Sequence, residues 1–247
     1  MGTTVHEKKV ALVTGANKGI GLEIGRQLGK LGLTVVLAAR EEAKANAAAA
    51  RLQGEGLDAY GVVLDVTEPA TAEAAARWID GRFGRLDVLV NNAGINHEFG
   101  ENTRPSQLDL GTLKATYETN VFGAFAVIKA MLPLLRKSPS ARIINQSSTL
   151  GSLGVLSDPG GAWYGVNTLA YNSSKSALNA LTLAFAKDLA GDRISVNSTC
   201  PGWVKTDMGS DAAPRTVEQG AAIAVKLATM DSPPTGKYLD DNGEIPW

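Results

Sequence analysis

Tyr171 and Lys175 are the two side chains in this sequence whose spacing best suits acid–base chemistry. They stand four residues apart in a segment predicted to be helical, so both lie on one face of that helix. A carbonyl group that accepts a hydride must also receive a proton, which a phenol can donate. The ordinary pKa of tyrosine, about 10, is too high for efficient exchange near neutrality. A nearby ammonium group favours the phenolate, so we expect Lys175 to lower the pKa of Tyr171.

Two further polar residues complete this candidate site. Ser148 follows a predicted strand and can hold the substrate oxygen while negative charge develops on it. Ser147 is its neighbour, but alternation along the strand points Ser147 to the opposite side. Tyr164 is a rival tyrosine, although Thr168 and not a lysine stands four residues after it. Asn120, on a long predicted helix, either belongs to the site or is a buried structural amide.

A glycine-rich segment near the N-terminus has the pattern of a nucleotide-binding turn. Residues 14–21 read Thr-Gly-Ala-Asn-Lys-Gly-Ile-Gly, between a predicted strand and a predicted helix. The three glycines permit a tight turn, a close approach of the backbone to a ligand, and close packing of the helix on the strand. The N–H groups of the helix N-terminus suit a pyrophosphate. The predicted contacts here are Gly15, Asn17, Lys18, Gly19, Ile20 and Gly21.

Arg40 ends the second predicted strand, where the residue type selects between cofactors. An acidic residue there binds the 2′-hydroxyl of NAD, whereas an arginine suits the 2′-phosphate of NADP. A guanidinium can bind phosphate through two parallel hydrogen bonds, and Lys18 adds a second cation nearby. We therefore predict NADP(H) as the cofactor. The acidic Glu41 next to Arg40 weakens this prediction. The alternative is that Arg40 and Lys18 are ordinary solvated surface charges.

The ends of the third and fourth predicted strands supply further cofactor contacts. Asp65, beside Val66, either accepts a hydrogen bond from the adenine amino group or caps the helix near Thr67. The Asn-Asn-Ala-Gly sequence at residues 91–94 lets a small-residue turn pass close to a cofactor ribose, while its asparagines tie adjacent strands together. The predicted contacts from this turn are Asn92, Ala93 and Gly94.

Short apolar runs alternate with helical segments, which is typical of a parallel sheet covered on both faces. We predict one α/β domain over residues 1–247, a Rossmann fold with a doubly wound, mostly parallel sheet of seven strands. An irregular glycine-rich segment is expected over 151–169. The predicted strands cover 10–13, 35–38, 60–64, 86–90, 142–145, 194–197 and 237–239, and the predicted helices cover 19–31, 41–51, 67–81, 108–135 (kinked or ended near Pro133), 170–189 and 216–230.

Composition argues against several other functions. The 247 residues include 44% hydrophobic and 20% charged residues, an ordinary globular balance, and carry a net charge of −1. This charge disfavours nucleic-acid binding, and two histidines with one cysteine cannot form the usual zinc site. The lone Cys200 excludes an internal disulfide and lies outside the expected chemistry. Without a secretory signal or an apolar run of membrane-spanning length, we expect a cytoplasmic protein with no nucleic-acid, metal or membrane binding.

These segments together resemble the classical short-chain dehydrogenases/reductases along nearly the whole chain. Any one segment is modest support, but all of them in order are specific. Residues 14–21 and 200–208 are most similar to the carbonyl-reductase branch, including its plant menthone-reductase relatives. The matching positions are residues 14–21, Asp65, residues 91–94, Asn120, Ser148, the Tyr-Asn-Ser-Ser-Lys sequence at 171–175 and the Pro-Gly-Trp-Val-Lys-Thr sequence at 201–206.

The resemblance implies a role for each matching residue. It makes Tyr171 the acid and base, and Ser148 the residue that orients the carbonyl. Lys175 lowers the pKa of Tyr171 and binds the nicotinamide ribose, and Asn120 holds a water molecule in a proton relay. The nicotinamide amide is framed by Pro201, Gly202, Val204 and Thr206.

The predicted function is NADPH-dependent reduction of a ketone or aldehyde to an alcohol. An NAD(P)-dependent alcohol dehydrogenase for a sterol or terpenoid is one alternative, disfavoured by Arg40. A catalytically silent NADP(H)-binding sensor is another, disfavoured by the complete proton-donor set. The pocket for a small hydrophobic carbonyl substrate is expected among residues 95–110, the extra segment over 154–169 and residues 208–214. The apolar candidates for lining this pocket are Phe99, Leu153, Trp163, Trp203 and Met208. The alternative for each is ordinary packing within its loop.

The interval between Ser148 and Tyr171 departs from the family pattern and leaves assembly open. It is longer than in most classical members, and the extra segment over 154–169 carries Trp163 and Tyr164. The helix that contains Tyr171 is apolar almost all round, so it must be buried on several sides. Either a second copy covers it in a homo-oligomer (dimer or tetramer), or the inserted loop covers it in a monomer.

Overall fold

A computed structural model describes residues 8–100 and 104–247, in which eight strands form one sheet. The strands are Val10–Val13 (β1), Thr34–Ala39 (β2), Ala59–Val63 (β3), Val88–Asn91 (β4), Ala141–Gln146 (β5), Ile194–Thr199 (β6), Tyr238–Asp240 (β7) and Gly243–Glu244 (β8). Their order is β3-β2-β1-β4-β5-β6-β7-β8, with every pairing parallel except that of β7 with β8. The α/β prediction is confirmed, but the count of seven strands is wrong, because β8 is too short to leave an apolar pattern.

Helices cover the two faces of this sheet. They are Gly19–Lys30 (α1), Glu42–Gly54 (α2), Pro69–Phe83 (α3), Leu110–Tyr117 (α4), Ala124–Leu135 (α5), Leu153–Leu156 (α6), Leu169–Asp188 (α7) and Val217–Thr229 (α8). Apolar residues of α3, α5 and α7 form one core cluster, and those of α1, α2 and α8 form another. In β1, Val10 and Leu12 belong to the first cluster while Ala11 and Val13 belong to the second. Burial on both sides explains why the strands are apolar without alternation.

The helix predicted over 108–135 is interrupted in the structure. A π-helical turn, Glu118–Gly123, separates α4 from α5, and Pro133 lies inside α5, which ends two residues later. At Gly123 a Cβ atom would lie 2.8 Å from the Cβ of Val66, so the turn packs directly on the segment after β3. By length and composition the run Leu110–Leu135 would suffice to cross a membrane, but 56% of its most apolar window is buried in the protein.

Two smaller differences concern the segments beside the sheet edge. The helix predicted from residue 67 begins at Pro69, a residue that suits the first helical turn because its missing N–H would be unpaired there. After β5, a 3₁₀ turn, Thr149–Gly151, leads into the segment predicted as irregular over 151–169, and the short helix α6 lies within that segment. Both segments lie at carboxyl ends of strands, where such sheets bind ligands.

Candidate active site

The glycine loop after β1 and the turn after β4 pack directly against each other. Gly15 and Gly19 have φ of 62° and 57°, in the left-handed region that glycine adopts readily. A Cβ atom on Gly15 would lie 3.0 Å from the Cα of Ala93, and one on Gly21 would lie 2.4 Å from the side-chain nitrogen of Asn92. The tight turn and close packing predicted for Gly15 and Gly21 are therefore present.

Hydrogen bonds hold these two turns together. The Thr14 hydroxyl accepts from the N–H groups of Asn92 and Ala93, each at 3.0 Å, and Asn92 Nδ2 donates to the Thr14 carbonyl at 2.9 Å. Asn91 Nδ2 donates to Asn145 Oδ1 at 2.8 Å, which joins β4 to β5. Helix α1 begins without a side-chain cap and without an acidic residue in its first turn. Its N-terminal N–H groups therefore fit an anionic ligand such as a pyrophosphate.

The charged residues at this edge are arranged differently from the expectation. Arg40 is exposed just after β2, whereas the carboxylate of Glu41 pairs with Lys44 at 2.5 Å. Glu41 is thereby engaged within its own helix region and does not compete for Arg40. Lys18, expected beside Arg40, pairs with Asp207 in the segment after β6.

Asp65 follows the second of its two interpretations in part. Its Oδ1 accepts from the backbone N–H and the hydroxyl of Thr67, at 3.0 and 2.8 Å. These bonds close the turn that leads to α3, although the N-cap position itself is Glu68. Val66 is buried beneath the π turn. Contacts of either residue with adenine stay a prediction.

Ser148, Tyr171 and Lys175 lie close together although they come from two different elements. Ser148 lines the same pocket as Tyr171, and it caps the 3₁₀ turn after β5 by accepting from the Leu150 N–H at 3.2 Å. On α7, Lys175 lies with Nζ 5.6 Å from the centre of the Tyr171 ring. Lys175 is 4% exposed, and its Nζ donates to the Gln146 carbonyl at 2.8 Å.

The pKa values of this pair differ from the expectation. Burial raises the pKa of Tyr171 to about 12, and hydrogen bonding with Ser148 opposes the rise only partly. Burial also lowers the pKa of Lys175 to about 8. The expected lowering of the Tyr171 pKa by Lys175 is therefore not seen in the protein without its cofactor, because burial dominates the pKa of the phenol.

Asn120 is buried in the π turn, with its side chain fully engaged by the protein. Its Nδ2 donates to the Ile95 carbonyl at 2.9 Å and to the Ser174 hydroxyl at 3.0 Å, and its Oδ1 accepts from the Ile95 N–H at 2.8 Å. At Gly94 a Cβ would lie 3.3 Å from Asn120 Oδ1 and 3.4 Å from Lys175 Nζ. This bonding favours the structural-amide alternative for the side chain, while the water relay stays a prediction.

A pocket of about 600 Å³ joins this cluster to the loop after β6. Ser148 and Tyr171 line it together with Ile20 of the glycine loop and with predicted cofactor residues that follow β6. Leu153, predicted as lining, is instead 66% exposed and lies outside it. The predicted residues that do line it are Ile20, Phe99, Trp163, Pro201, Gly202, Trp203, Val204, Thr206 and Met208.

Several pocket residues carry no local sequence signal. Glu98 is 3% exposed, and its Oε2 accepts from the Tyr171 N–H at 3.0 Å. Cys200, which we placed outside the chemistry, also lines the pocket, and its sulfur accepts from the Thr149 N–H at 3.1 Å. Glu98 and Tyr171 are far apart in the chain, so only tertiary contact reveals the pairing.

Two residues support Ser148 and Lys175 from outside the pocket. The buried Tyr238 donates its hydroxyl to the Ser148 carbonyl. At Gly151 a Cβ atom would lie 2.7 Å from the Cβ of Lys175, so only glycine permits this approach of the 3₁₀ turn to α7. A glycine three residues after the serine is the one sequence feature that could have indicated this contact.

Comparison with known proteins gives consistent matches. A model of the short chain dehydrogenase family matches residues 9–217. Carbonyl reductase [NADPH] 3 of Rattus norvegicus is 35% identical, covering 97% of this chain and 98% of the rat protein. Salutaridine reductase of Papaver bracteatum is 33% identical, covering 96% of each. The NADPH-bound carbonyl reductase from chicken fatty liver superposes with a TM-score of 0.86 at 31% identity, covering 97% of this chain and 99% of that structure.

Proposed function

The chain belongs to the short-chain dehydrogenase family, and from this premise we propose that it reduces a ketone or aldehyde to an alcohol with NADP(H) as cofactor. The observation that carries the proposal is the shared pocket, in which Ser148 and Tyr171 meet the cofactor-side residues Ile20 and Gly202. The names of the rat and chicken relatives, both NADPH carbonyl reductases, support the same cofactor and reaction.

Arg40 and the glycine loop are the residues proposed to hold the cofactor. The uncapped N-terminus of α1 offers N–H groups to the pyrophosphate. Arg40 is exposed at the end of β2, and Glu41 is paired with Lys44, so the guanidinium is available for a 2′-phosphate. The turn at residues 91–94 lies directly beside the glycine loop and continues the same surface.

Tyr171 is the proposed proton donor. When bound, NADPH supplies the hydride. The Ser148 hydroxyl holds the carbonyl oxygen, and the phenol of Tyr171 donates its proton to that oxygen as negative charge develops. Because burial raises the pKa of Tyr171 to about 12, the phenol stays protonated near neutrality. The protonated phenol is the form that donates in reduction, whereas oxidation of an alcohol needs the phenolate.

Lys175 is proposed to position the phenol and the nicotinamide ribose. Its bond from Nζ to the Gln146 carbonyl holds the ammonium beside the Tyr171 ring. Asn120 is proposed to position the neighbouring segment, since its amide is bonded to both backbone groups of Ile95.

A panel of aryl ketones, alkyl ketones and aldehydes, assayed by loss of NADPH absorbance, tests the proposed function. We expect turnover of at least some hydrophobic carbonyl compounds, with NADPH used far more efficiently than NADH. Tight NADPH binding without turnover across the panel would favour the sensor alternative. Faster oxidation of sterol or terpenoid alcohols than reduction of the matching ketones near neutrality would favour the dehydrogenase alternative.

A further inference from the structure

The acidic residue in the pocket wall points to a substrate class. We propose that Glu98 gives this pocket a preference for ketones that carry an ammonium group a few bonds from the carbonyl. The inference rests on the proposed carbonyl reduction and names the chemistry of the substrate that this site selects.

Glu98 is a buried carboxylate without a cationic partner in the described ranges. It is 3% exposed, and no lysine, arginine or histidine nitrogen of residues 8–100 and 104–247 lies within 4 Å of it. Its Oε2 accepts one hydrogen bond, from the Tyr171 N–H. A carboxylate removed from water is costly unless it is paired, and one neutral donor satisfies only part of its bonding capacity. A cationic donor on the substrate would complete its pairing.

The position of Glu98 relative to Tyr171 sets where that cation belongs. The carboxylate contacts the backbone of Tyr171, and both residues line the same pocket. A substrate whose carbonyl meets the phenol lies in the same pocket as this carboxylate, so an ammonium group on a chain of a few bonds is placed to reach it. The Asn96 side chain accepts from the Glu98 N–H at 3.1 Å, which fixes the backbone of Glu98 in this place.

The remaining pocket wall is suited to an amine with apolar substituents. Phe99, Trp163 and Trp203 line the pocket, and aromatic faces attract alkylammonium groups as well as hydrocarbon. Arg104 is the other charged lining residue, but it is exposed and makes no ion pair with Glu98. Solvent screens its charge, so the partly desolvated carboxylate dominates recognition.

A purely structural role is the competing explanation of Glu98. Its bond to the Tyr171 N–H lies in the first turn of α7, where a carboxylate satisfies a free N–H and interacts favourably with the helix dipole. Glu98→Gln separates the two roles, because the glutamine amide oxygen can still accept this hydrogen bond but carries no charge.

The experiment uses a matched pair of substrates with NADPH. One is an aryl ketone that carries a dimethylammonium group on a three-carbon chain, and the other has isopropyl in place of that group. We expect Glu98→Gln to lower kcat/KM for the ammonium ketone by about tenfold or more, since hydrogen bonds to charged groups are among the stronger ones. The isopropyl ketone should lose less than about threefold. Glu73→Gln, on the exposed surface of α3, controls for the change in net charge.

Binding without turnover distinguishes failure of this inference from failure of the proposed function. The affinity of both ketones for the wild type with NADP⁺, which cannot reduce them, is measured by tryptophan fluorescence. A preference for the ammonium ketone that Glu98→Gln removes supports the inference even if no reduction is seen. If Glu98→Gln lowers the affinity for both ketones equally, or changes neither, the inference is overturned and Glu98 is a helix cap. Turnover of the isopropyl ketone would still support carbonyl reduction in that case.

Discussion

The two ends of the candidate site are built from different parts of the chain. At the cofactor end, the loop after β1 and the turn after β4 meet through close contacts at Gly15 and Gly21 and through hydrogen bonds between Thr14 and Asn92. At the substrate end, the side chains of Ser148, Tyr171 and Lys175 are placed by β5, by the 3₁₀ turn after it, and by α7. The first end depends on glycines that leave room for close packing, whereas the second depends on how deeply particular side chains are buried.

This difference determines how each end responds to substitution. An added methyl group at the cofactor end meets backbone atoms that cannot move away, so the effect is steric and local. A changed side chain at the substrate end alters proton transfer or charge while the backbone stays in place. Single substitutions should therefore separate cofactor binding from chemistry.

The largest expected effect is that of Tyr171→Phe, which removes the proton donor and keeps the ring. We expect kcat/KM for ketone reduction to fall by about 10²–10⁴-fold, the usual contribution of a positioned general acid. NADPH affinity, measured by fluorescence titration, should change little. Tyr164→Phe is the control, since Tyr164 is 56% exposed and outside the pocket lining. A comparable loss in the control, or full activity in Tyr171→Phe, would contradict the assignment.

The buried Lys175 should make stability depend on pH in a defined window. Its folded pKa of about 8 lies below the usual 10.5, so between these values the unfolded chain binds a proton that the folded chain has lost. The free energy of unfolding should therefore rise with pH above about 8, by at most about 3 kcal/mol. The raised pKa of Tyr171 has the opposite effect on the free energy of unfolding. Its stabilising contribution is present below about pH 10 and is lost as pH rises from about 10 towards about 12.

Urea denaturation from neutral pH to about pH 10 measures this dependence. Lys175→Met should abolish most of the rise, while Lys187→Met, at an exposed position of α7, should retain it. A wild-type curve that is flat or falls over this window would show that Lys175 titrates normally.

Gly21→Ala tests the backbone-built end. Its Cβ would meet the Asn92 side chain at 2.4 Å and the Gly15 carbonyl at 2.7 Å, so we expect about 1–3 kcal/mol of destabilisation together with weaker NADPH binding. Gly81→Ala in α3 is the matched control. A Cβ there meets nothing within 4 Å, and alanine should stabilise the helix by up to about 1 kcal/mol. Unchanged NADPH affinity in Gly21→Ala would contradict the proposed binding surface.

Arg40→Asp should change cofactor preference more than overall activity and sharpen the cofactor assignment. We expect the NADPH-to-NADH ratio of kcat/KM to fall by about tenfold to a hundredfold, because a charged hydrogen bond to the 2′-phosphate is lost and repulsion replaces it. Arg51→Asp, at an exposed position of α2, should leave the ratio unchanged. A wild type that uses both cofactors equally well would refute the role of Arg40.

Prediction from sequence succeeded where the relevant physics is local. The glycine loop needs a tight turn and close packing, and both follow from residue types between β1 and α1. The pairing of Tyr171 with Lys175 follows from helix periodicity alone. The two-residue β8 was not predictable in this way, because it is defined only by its pairing with β7. The π turn at Glu118–Gly123 was not predictable either, because the sequence pattern there is that of an uninterrupted apolar helix.

By itself the sequence determined most of the order of strands and helices, the nucleotide-type turn and the candidate proton-donor residues, since each depends on short-range spacing. Only the tertiary structure decided the charge environment of those residues. It raised the pKa of Tyr171, lowered that of Lys175, moved Lys18 to Asp207, and placed Glu98 and Cys200 in the pocket wall. Burial and contact between distant segments set these properties, because the cost of a charge depends on what surrounds it and not on its neighbours in the chain.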